Sequence, residues 1–574
     1  MRALFALLVG ATLLFASIFE SSAQTAQPPA KRPQTAKPAT RTAATKVDPD
    51  SPAALMNEAF VAVQNAQTTA AGRALAQMSA RFAAGTDILA QLVRKRQDLA
   101  DQIRQTDDAW QGALSNAAAA EALRAKSRQL ASEIAALDAQ LTKDFPAYLE
   151  LTSPKPLAIA EVQKLLRPDE VLIVTFVTAQ DSYVWAVNTT SADWTRIAWP
   201  AAELDRRIRA IRANMTPAAE TRGGESVYGA DVASGQLAFD RTAAYEIWQA
   251  FFAPLDKIIA GKSTLYLVAS GGLASLPPAL LVTAPPTGED TDPKALQQTE
   301  WLAKRQATAI LPSVTSLRAL RAFKRADAGL ERQPFIGFGA PMLDGRAGPG
   351  SRGRVRNGTL AGLYRGRLAD PDAVRQLESL PETEGELRRL ASFLKAGPEA
   401  VRVGQQATEQ DVKSTNFSAV KVIAFATHGL IAGDLSGLAE PALVFTPPKE
   451  ASPDDDGLLT ASEAARLKIQ ADWVILSACN TAAGDGKPGA EGLSGLARAF
   501  FFAGAQTLLV SHWPVNDEAA ARLTTGAIGV QQGDAQIGRA EALRRSSLDL
   551  MMQPEMTFAH PVMWAPFIVV GEGS

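Results

Sequence analysis

Apolar residues follow two different patterns along the 574-residue chain. Between about residues 54 and 145 they recur at spacings of four and seven, the period of one helix face. Beyond residue 155, short continuous apolar runs alternate with segments of helical period. Continuous apolar runs are typical of strands buried on both faces of a parallel sheet. The pattern predicts a helical region followed by an α/β domain, in which a mostly parallel sheet has helices on both faces.

The helical region, residues 53–150, carries an apolar seam in two successive segments. The first segment contributes Leu92, Leu99, Ile103 and Trp110, and the second contributes Leu123, Leu130, Ile134, Leu137 and Leu141. Residues 112–116 favour a turn between them, so we expect an antiparallel helical hairpin with a coiled-coil-like seam. Packing between the helices explains the seam, and a surface that binds a partner protein is the alternative interpretation.

Short apolar runs in the second part of the chain predict its strands. They occupy residues 171–177, 183–187, 264–268, 334–338, 422–426, 473–476, 507–511 and 567–570. Helical periods between them predict helices at 204–215, 239–260, 313–325, 382–394, 408–413, 461–467, 493–503 and 518–528. Residues 344–370, which carry six arginines among glycines, and residues 447–457 are predicted to be surface loops.

Two of the predicted strands are followed by residues whose side chains can act in catalysis. Residues 422–426 are followed by Thr427, His428 and Gly429, and residues 473–476 lead to Cys479. Open α/β sheets place ligands and catalytic groups at the carboxyl edge of their parallel strands. A thiol attacks as its thiolate, and a neighbouring imidazole can take the proton. The sequence therefore predicts a Cys/His hydrolase, in which the backbone N–H groups of Gly429 and Cys479 form an oxyanion hole.

The order and spacing of this pair support the prediction. His428 precedes Cys479 by 51 positions, close to the roughly 50 residues found between the two in caspases. The alternative interpretation is structural, because a single cysteine is often a small buried apolar residue. His512 and His560 are predicted to be structural, and Asp434 or Asp454–Asp456 could favour a basic substrate residue.

Composition and motif context argue against several classes of partner and cofactor. The net charge of -2 gives no reason to expect nucleic acid as a partner. A single cysteine excludes an intramolecular disulfide and a multi-cysteine zinc site, and three histidines argue against a histidine-rich metal cluster. A G-x-G-x-x-G match at 348–353 neither follows a predicted strand nor opens a helix, so it predicts no dinucleotide site. We expect neither a metal nor an organic cofactor.

The first 23 residues have the order of a secretory signal peptide. Arg2 precedes an uncharged run over residues 3–19, and small residues at 21 and 23 predict a cut between Ala23 and Gln24. Residues 24–52 are rich in proline, alanine, threonine and basic residues, which predicts a disordered linker. We therefore expect a periplasmic or secreted protein. The alternative is an uncleaved inner-membrane signal anchor, the one case in which a membrane would be a partner.

Several ordered motifs resemble those of the CHAT domain, a bacterial caspase-like family related to separase and often preceded by tetratricopeptide helices. They lie at 271–277 (GGLASLP), 380–384 (LPETE), 426–429 (ATHG), 476–481 (LSACNT), 492–500 (GLSGLARAF) and 560–565 (HPVMWA). The resemblance covers residues 155–571, with its core at 260–571. No 34-residue repeat is detectable before it, so the helical region is either a coiled coil or degenerate tetratricopeptide-like helices.

This resemblance implies a caspase-like fold and a cysteine endopeptidase that uses His428 and Cys479, with Gly429 and Cys479 lining the oxyanion hole. It implies a protein or peptide substrate and no cofactor. The sequence Ser-Ala-Cys-Asn-Thr differs from the caspase motif, so specificity for aspartate does not follow. Two alternatives stay open: a catalytically silent interaction module on the same fold, and an acyltransferase or amidase that uses the same pair.

Overall fold

A computed structural model describes the chain between residues 50 and 573, with gaps. The described residues are 50–67, 117–144, 155–215, 237–322, 332–345, 364–365, 368–380, 382–430, 441–452, 454–477, 495–513, 515–534 and 536–573, with Leu92, Lys95, Leu99, Gln102, Ile103, Thr106 and Trp110. The predicted signal peptide, the linker up to residue 49, Asp434 and Cys479 lie outside them.

Eleven strands of the described chain form one large sheet. These strands are β1 (Glu170–Val177), β2 (Ser182–Val187), β3 (Ala192–Ile197), β4 (Thr264–Val268), β5 (Ala307–Ile310), β6 (Gln333–Pro341), β9 (Val401–Gly404), β10 (Val420–Ala426), β14 (Trp473–Leu476), β15 (Thr507–Ser511) and β16 (Phe567–Gly571). Their order across the sheet is β3-β2-β1-β4-β5-β16-β15-β14-β10-β6-β9. Two small sheets use β7 (Tyr364–Arg365) with β8 (Leu368–Ala369), and β11 (Gly429–Leu430) with β12 (Ala442–Val444) and β13 (Leu458–Thr460).

The large sheet is mostly parallel, with one change of direction in its middle and an antiparallel β1-β2-β3 meander at one edge. β1, β4, β5 and β16 run parallel to one another, as do β15, β14, β10, β6 and β9. The two sets meet at the antiparallel pair of β15 and β16. The carboxyl ends of β15, β14, β10, β6 and β9 therefore share one edge of the sheet.

Helices cover both faces of this sheet, because consecutive residues of β1, β10 and β14, which point to opposite faces, are mostly buried. In the described chain they are α1 (Pro52–Ala66), α2 (Ala117–Asp144), α3 (Ile159–Leu165), α4 (Ala201–Arg212), α5 (Arg241–Phe251), α6 (Asp256–Ile259), α7 (Pro293–Gln298), α8 (Leu302–Arg305), α9 (Val314–Ala322), α10 (Pro371–Arg375), α11 (Glu382–Phe393), α12 (Glu409–Ser414), α13 (Ala461–Ala464), α14 (Gly495–Ala503), α15 (Asp517–Gly533), α16 (Arg539–Met551) and α17 (Pro561–Trp564). None of these is both long and apolar enough to cross a bilayer.

Side-chain caps mark where many of these helices begin. Ser51, Asp240 and Asn516 each accept a hydrogen bond from a backbone N–H in the first turn of α1, α5 and α15. Thr460 and Glu463 form a reciprocal capping box at the start of α13. The predicted fold class, a mostly parallel sheet between helical layers, is confirmed.

The seam residues of the two predicted helical segments pack together. Leu99, Leu130 and Leu137 are buried against one another, with Leu92, Ile103 and Ile134 beside them. The guanidinium of Arg124 also lies 4.6 Å from the centre of the Trp110 ring. This packing brings α2 against the residues described between 92 and 110, and its use as a partner surface stays a prediction.

The first described helix, α1, packs on the α/β domain. Phe60 meets Trp185 of β2 edge to face, with ring centres 6.4 Å apart. The Gln64 amide donates to the Leu157 carbonyl at 2.8 Å and accepts from the Leu157 N–H at 2.9 Å. The predicted domain limits stay predictions, and the structure adds that α1 is joined to the segment just before α3.

Candidate active site

The predicted catalytic histidine lies at the carboxyl edge shared by the second set of strands. β10 and β14 are neighbours in the sheet, and their parallel register pairs Phe425 with Leu476. His428 comes three residues after Phe425, and Cys479 comes three residues after Leu476. The Ser477 N–H continues the pairing by donating to the Phe425 carbonyl at 2.9 Å. Cys479 itself lies outside the described residues, so its role stays a prediction.

One nitrogen of the His428 ring is fixed by a backbone carbonyl. The side chain is 2% exposed, and its Nε2 lies 2.7 Å from the carbonyl oxygen of Glu378. A carbonyl can only accept, so Nε2 carries the proton and donates. In the neutral ring this leaves Nδ1 as the basic nitrogen. The contact thus selects the tautomer that can act as a base through Nδ1.

The backbone around His428 is held by strand β12. The Val444 N–H donates to the His428 carbonyl at 3.0 Å, and the buried Thr427 hydroxyl donates to the Val444 carbonyl at 2.5 Å. These bonds follow directly on β10. They fix the main chain where the strand of the large sheet continues into the small sheet.

The geometry of Gly429 fits its predicted role. Gly429 is opposite Leu443 in the antiparallel pair of β11 and β12. Hydrogen-bonded and non-bonded pairs alternate along such a ladder, and His428 with Val444 is a bonded pair. Gly429 and Leu443 are therefore a non-bonded pair, so the Gly429 N–H points away from β12. Its use as an oxyanion donor together with Cys479 stays a prediction.

The Glu378 carbonyl is placed by a backbone bridge that the sequence did not reveal. Gly345, just beyond β6, pairs with Glu378 in a parallel bridge. The Gly345 N–H donates to the Leu377 carbonyl at 3.1 Å, and the Ser379 N–H donates to the Gly345 carbonyl at 3.3 Å. A carbonyl acceptor is independent of residue type, so only the neighbouring Leu-Pro-Glu-Thr-Glu motif could have pointed to this segment.

His512 and His560 take structural positions, as predicted. His560 caps α17, with its Nδ1 accepting from the Val562 N–H at 3.2 Å. His512 follows β15, and its carbonyl accepts from Arg212 at 3.1 Å. Burial lowers the pKa of each imidazole to about 3, and the nearby Arg212 charge adds to the effect at His512. Both rings are therefore neutral in the folded protein near neutral pH.

Asp456, at the end of the 447–457 loop, has internal partners. Asp456 is 9% exposed, and its carboxylate accepts from the Ala369 N–H at 2.7 Å and the Leu458 N–H at 3.0 Å. Burial raises the pKa of Asp456. The structure corrects the suggestion that Asp456 is available to a basic substrate residue, because its oxygens hold β8 and β13.

Glu409 completes this internal cluster. Its carboxylate accepts from the N–H groups of Asp456 and Gly457 and pairs with the Lys413 ammonium, which also contacts Glu463 at 2.7 Å. Burial and the Glu463 charge raise the pKa of Glu409. Among the described residues, no group of three or more histidine, cysteine or acidic side chains could hold a metal ion.

The sequence matches known proteins over part of its length. The CHAT domain model matches residues 241–572, more than half of the chain. Tetratricopeptide repeat protein 28 of Mus musculus is 29% identical over 227 residues, and that of Homo sapiens is 29% identical over 231. Each match covers 33% of this chain and 8% of the relative, so the chain spans less than a tenth of the length of these curated relatives.

Solved structures resemble the chain more distantly. The separase–securin complex of Saccharomyces cerevisiae aligns with a TM-score of 0.38 and 10% identity, over 79% of this chain and 34% of that one. The Arg-specific cysteine proteinase gingipain R aligns with a TM-score of 0.32 and 9% identity, over 60% of this chain and 70% of that one. On its sequence match, this chain belongs to the CHAT domain family.

Proposed function

We propose that this chain is an exported cysteine endopeptidase in which His428 and Cys479 hydrolyse peptide bonds of a protein substrate. The observation that carries the proposal is the fixed His428 ring. Its Nε2 donates to the Glu378 carbonyl at 2.7 Å. His428 follows β10, and the neighbouring strand β14 leads to the single cysteine of the chain. Membership of the CHAT family supports the same chemistry.

The proposed reaction uses side chains and backbone amides of this chain. Nδ1 of His428 accepts the Cys479 thiol proton, and the thiolate attacks the scissile carbonyl carbon. The N–H groups of Gly429 and Cys479 stabilise the oxyanion that forms. His428 returns its proton to the amine as the C–N bond breaks, which leaves a thioester. Water, deprotonated by His428, then attacks the thioester and releases the acid and the thiol.

The Glu378 carbonyl contributes to each proton transfer. The imidazole becomes positively charged when it takes the thiol proton, and a hydrogen bond from a charged donor is stronger than one from a neutral donor. The carbonyl therefore favours the charged ring without accepting a proton. It also prevents the ring from turning Nδ1 away from the thiol.

Two further parts of the proposal concern the rest of the chain. The helical region recruits a protein partner through the outer face of the hairpin, because its apolar seam is used internally by Leu99, Leu130 and Leu137. The order of charged, apolar and small residues in positions 1–23 supports export. A mature protein from its native host whose first residue is not Gln24 would refute the predicted cut.

A positional peptide library tests the activity. Wild-type protein is expected to cleave a subset of peptides, and Cys479→Ala and His428→Gln are expected to lower kcat/KM by roughly 10³-fold or more. The matched control is His560→Asn, which changes a buried histidine that caps α17 and should cleave like wild type at neutral pH. Cleavage that survives Cys479→Ala would rule out a cysteine peptidase.

The same experiment separates the alternatives. Peptides released with a new acyl acceptor in place of water would identify an acyltransferase, and loss of ammonia without chain cleavage would identify an amidase. If neither wild-type nor variant protein turns over any peptide, while the chain still binds a partner, the catalytically silent interaction module is favoured.

A further inference from the structure

We propose that Gly345 and Thr383 are positioning residues for His428, because together they hold the Glu378 carbonyl to which the imidazole donates. Neither residue touches the ring in the contacts described. This inference rests on the proposed function only where it concerns the reaction rate. The orientation and tautomer of His428 can be measured without catalysis.

Gly345 fills a position that no other residue can occupy without moving the backbone. A Cβ built on Gly345 would lie 2.5 Å from the Leu377 carbonyl oxygen and 2.6 Å from that of Gln376. Both are backbone atoms, so a side-chain rotation cannot relieve the contact. A methyl group at position 345 must therefore push away the segment that carries Glu378.

The backbone bonds of Gly345 make this displacement act directly on Glu378. Its N–H and carbonyl bond to Leu377 and Ser379, the residues on either side of Glu378. Gly345 thus bonds to the peptide groups on both sides of Glu378, and the second of these contains the Glu378 carbonyl. The bonds lengthen or rotate if residue 345 moves by a few tenths of an ångström, and the acceptor of His428 moves with them.

Thr383 provides a second connection between the segment that contains Gly345 and the segment that contains Glu378. Its hydroxyl donates to the Leu380 carbonyl at 2.8 Å and accepts from the Ala340 N–H at 2.9 Å. Ala340, within β6, has φ of 44°, a left-handed conformation that is unfavourable for alanine. The Thr383 hydroxyl, 1% exposed, therefore stabilises an unfavourable turn of the main chain that leads to Gly345.

The hydrogen bonds of Gly345 and Thr383 together affect which tautomer the His428 imidazole adopts. When the Glu378 carbonyl is in place, the proton stays on Nε2 and Nδ1 remains the base. When the carbonyl moves out of hydrogen-bond range, its preference for the tautomer protonated on Nε2 is lost. The fraction of His428 that can accept a proton through Nδ1 then falls, which lowers kcat without removing a substrate contact.

Histidine tautomers can be read by ¹⁵N NMR, and this chain has only three histidines. We would label the full-length protein with [¹⁵N]histidine in a Cys479→Ala background and assign His428 from the signals lost in His428→Gln. The expected spectrum shows a protonated Nε2 and an unprotonated Nδ1. Gly345→Ala is expected to average or exchange these two signals.

Gly533→Ala is the matched control, because a Cβ built there meets no atom within 4 Å. Thr383→Val, which keeps the shape and removes the hydroxyl, should change the His428 signals in the same direction as Gly345→Ala. Thr383→Ser should restore them. This second pair keeps the test valid if Gly345→Ala fails to fold, as judged by its circular dichroism and melting temperature.

Activity provides an independent measurement with Cys479 present. We expect kcat to fall about tenfold or more in Gly345→Ala and Thr383→Val, with KM within about twofold of wild type. If wild type cleaves no peptide but the NMR signals change as described, the proposed function fails and the positioning role stands. Unchanged His428 signals in both Gly345→Ala and Thr383→Val would overturn the positioning role.

Discussion

The three histidines of this chain are held in three different ways, and each environment sets what its ring can do. His428 donates to a backbone carbonyl and has a defined basic nitrogen. His560 uses Nδ1 as a helix-capping acceptor. His512 is buried beside Arg212, whose charge opposes protonation. Two of the three are thus kept neutral by the fold, which links protein stability to pH.

Acidification should destabilise the folded protein through His512 and His560. Their folded pKa values are about 3, below the value of about 6.5 in an unfolded chain. Between these values the unfolded state binds more protons, so stability falls as pH falls. Each histidine should lower the free energy of unfolding by about 2 kcal/mol between pH 7 and pH 5, as measured by urea unfolding.

His560→Asn isolates one of these contributions, because asparagine can still cap α17 and does not titrate. The loss of stability between pH 7 and pH 5 should then be smaller by about 2 kcal/mol. An unchanged pH dependence in this variant would show that His560 is not the group that couples folding to pH.

The sequence singles out His428 and Gly429 as candidate site residues because of their residue types, and their roles stay predictions. The remaining parts of the site are set by main-chain geometry. Glu378 contributes a carbonyl, which any residue has, and Gly345 matters because of what surrounds it in space. Reading Asp456 as a surface acid was incorrect for a similar reason, since a run of aspartates does not show that two backbone N–H groups bind the last of them.

At the scale of elements, Gln64 of α1 joins the two ends of the helical region. Its amide forms paired hydrogen bonds with the backbone of Leu157, just before α3. Leu157 is buried and lies outside any strand, so the Gln64 amide satisfies backbone groups that would otherwise lack these partners. The Ile159 N–H also donates to Asn57 of α1 at 2.9 Å, so two side chains of α1 connect it to the segment at the start of α3.

Gln64→Leu should loosen α1. It would leave the N–H and carbonyl of Leu157 without these partners, at about 1–3 kcal/mol each. Hydrogen exchange of residues 52–66 should then accelerate by roughly tenfold or more, as measured by mass spectrometry. Gln129→Leu, on the exposed face of α2, is the matched control. Equal exchange of α1 in both variants would contradict the connecting role of Gln64.

Most long elements could be predicted from their apolar pattern, while short ones and their order could not. The predicted strands at 264–268, 473–476 and 507–511 have the limits observed. β5 escaped prediction because four residues with two alanines give little pattern. The position of β16 between β5 and β15 depends on contacts between distant parts of the chain.

On the scale of the whole molecule, one ion network joins β1 and β16, two strands that are far apart in the sequence. Arg321 of α9 contacts both carboxylate oxygens of Glu170, at 2.6 and 2.8 Å, and Glu572 at 3.0 Å. Glu170 begins β1 and is fully buried, whereas Glu572 follows β16. The network therefore connects the first strand in the sequence, β1, to the last, β16.

Arg321→Ala should destabilise the whole protein. It leaves Glu170 buried without its main positive partner, which typically costs about 3–5 kcal/mol, measurable as a lower urea midpoint. Arg128→Ala provides the comparison, because Arg128 and Glu121 form a pair whose side chains are 70% and 65% exposed. That variant should change stability by less than about 1 kcal/mol. Equal midpoints for the two variants would contradict a joining role for the network.

The reactivity of Cys479 tests the central claim most directly, because it needs no substrate. The chain has one cysteine, so alkylation by iodoacetamide, followed by mass spectrometry, reports this thiol alone. A free thiol has a pKa of about 8.5 and is mostly unreactive at pH 6. If His428 takes the thiol proton, folded wild-type protein should react at pH 6 at least about tenfold faster than His428→Gln and than the urea-unfolded chain. Equal alkylation rates for folded wild-type protein and His428→Gln across pH 5 to 9 would contradict the catalytic pair.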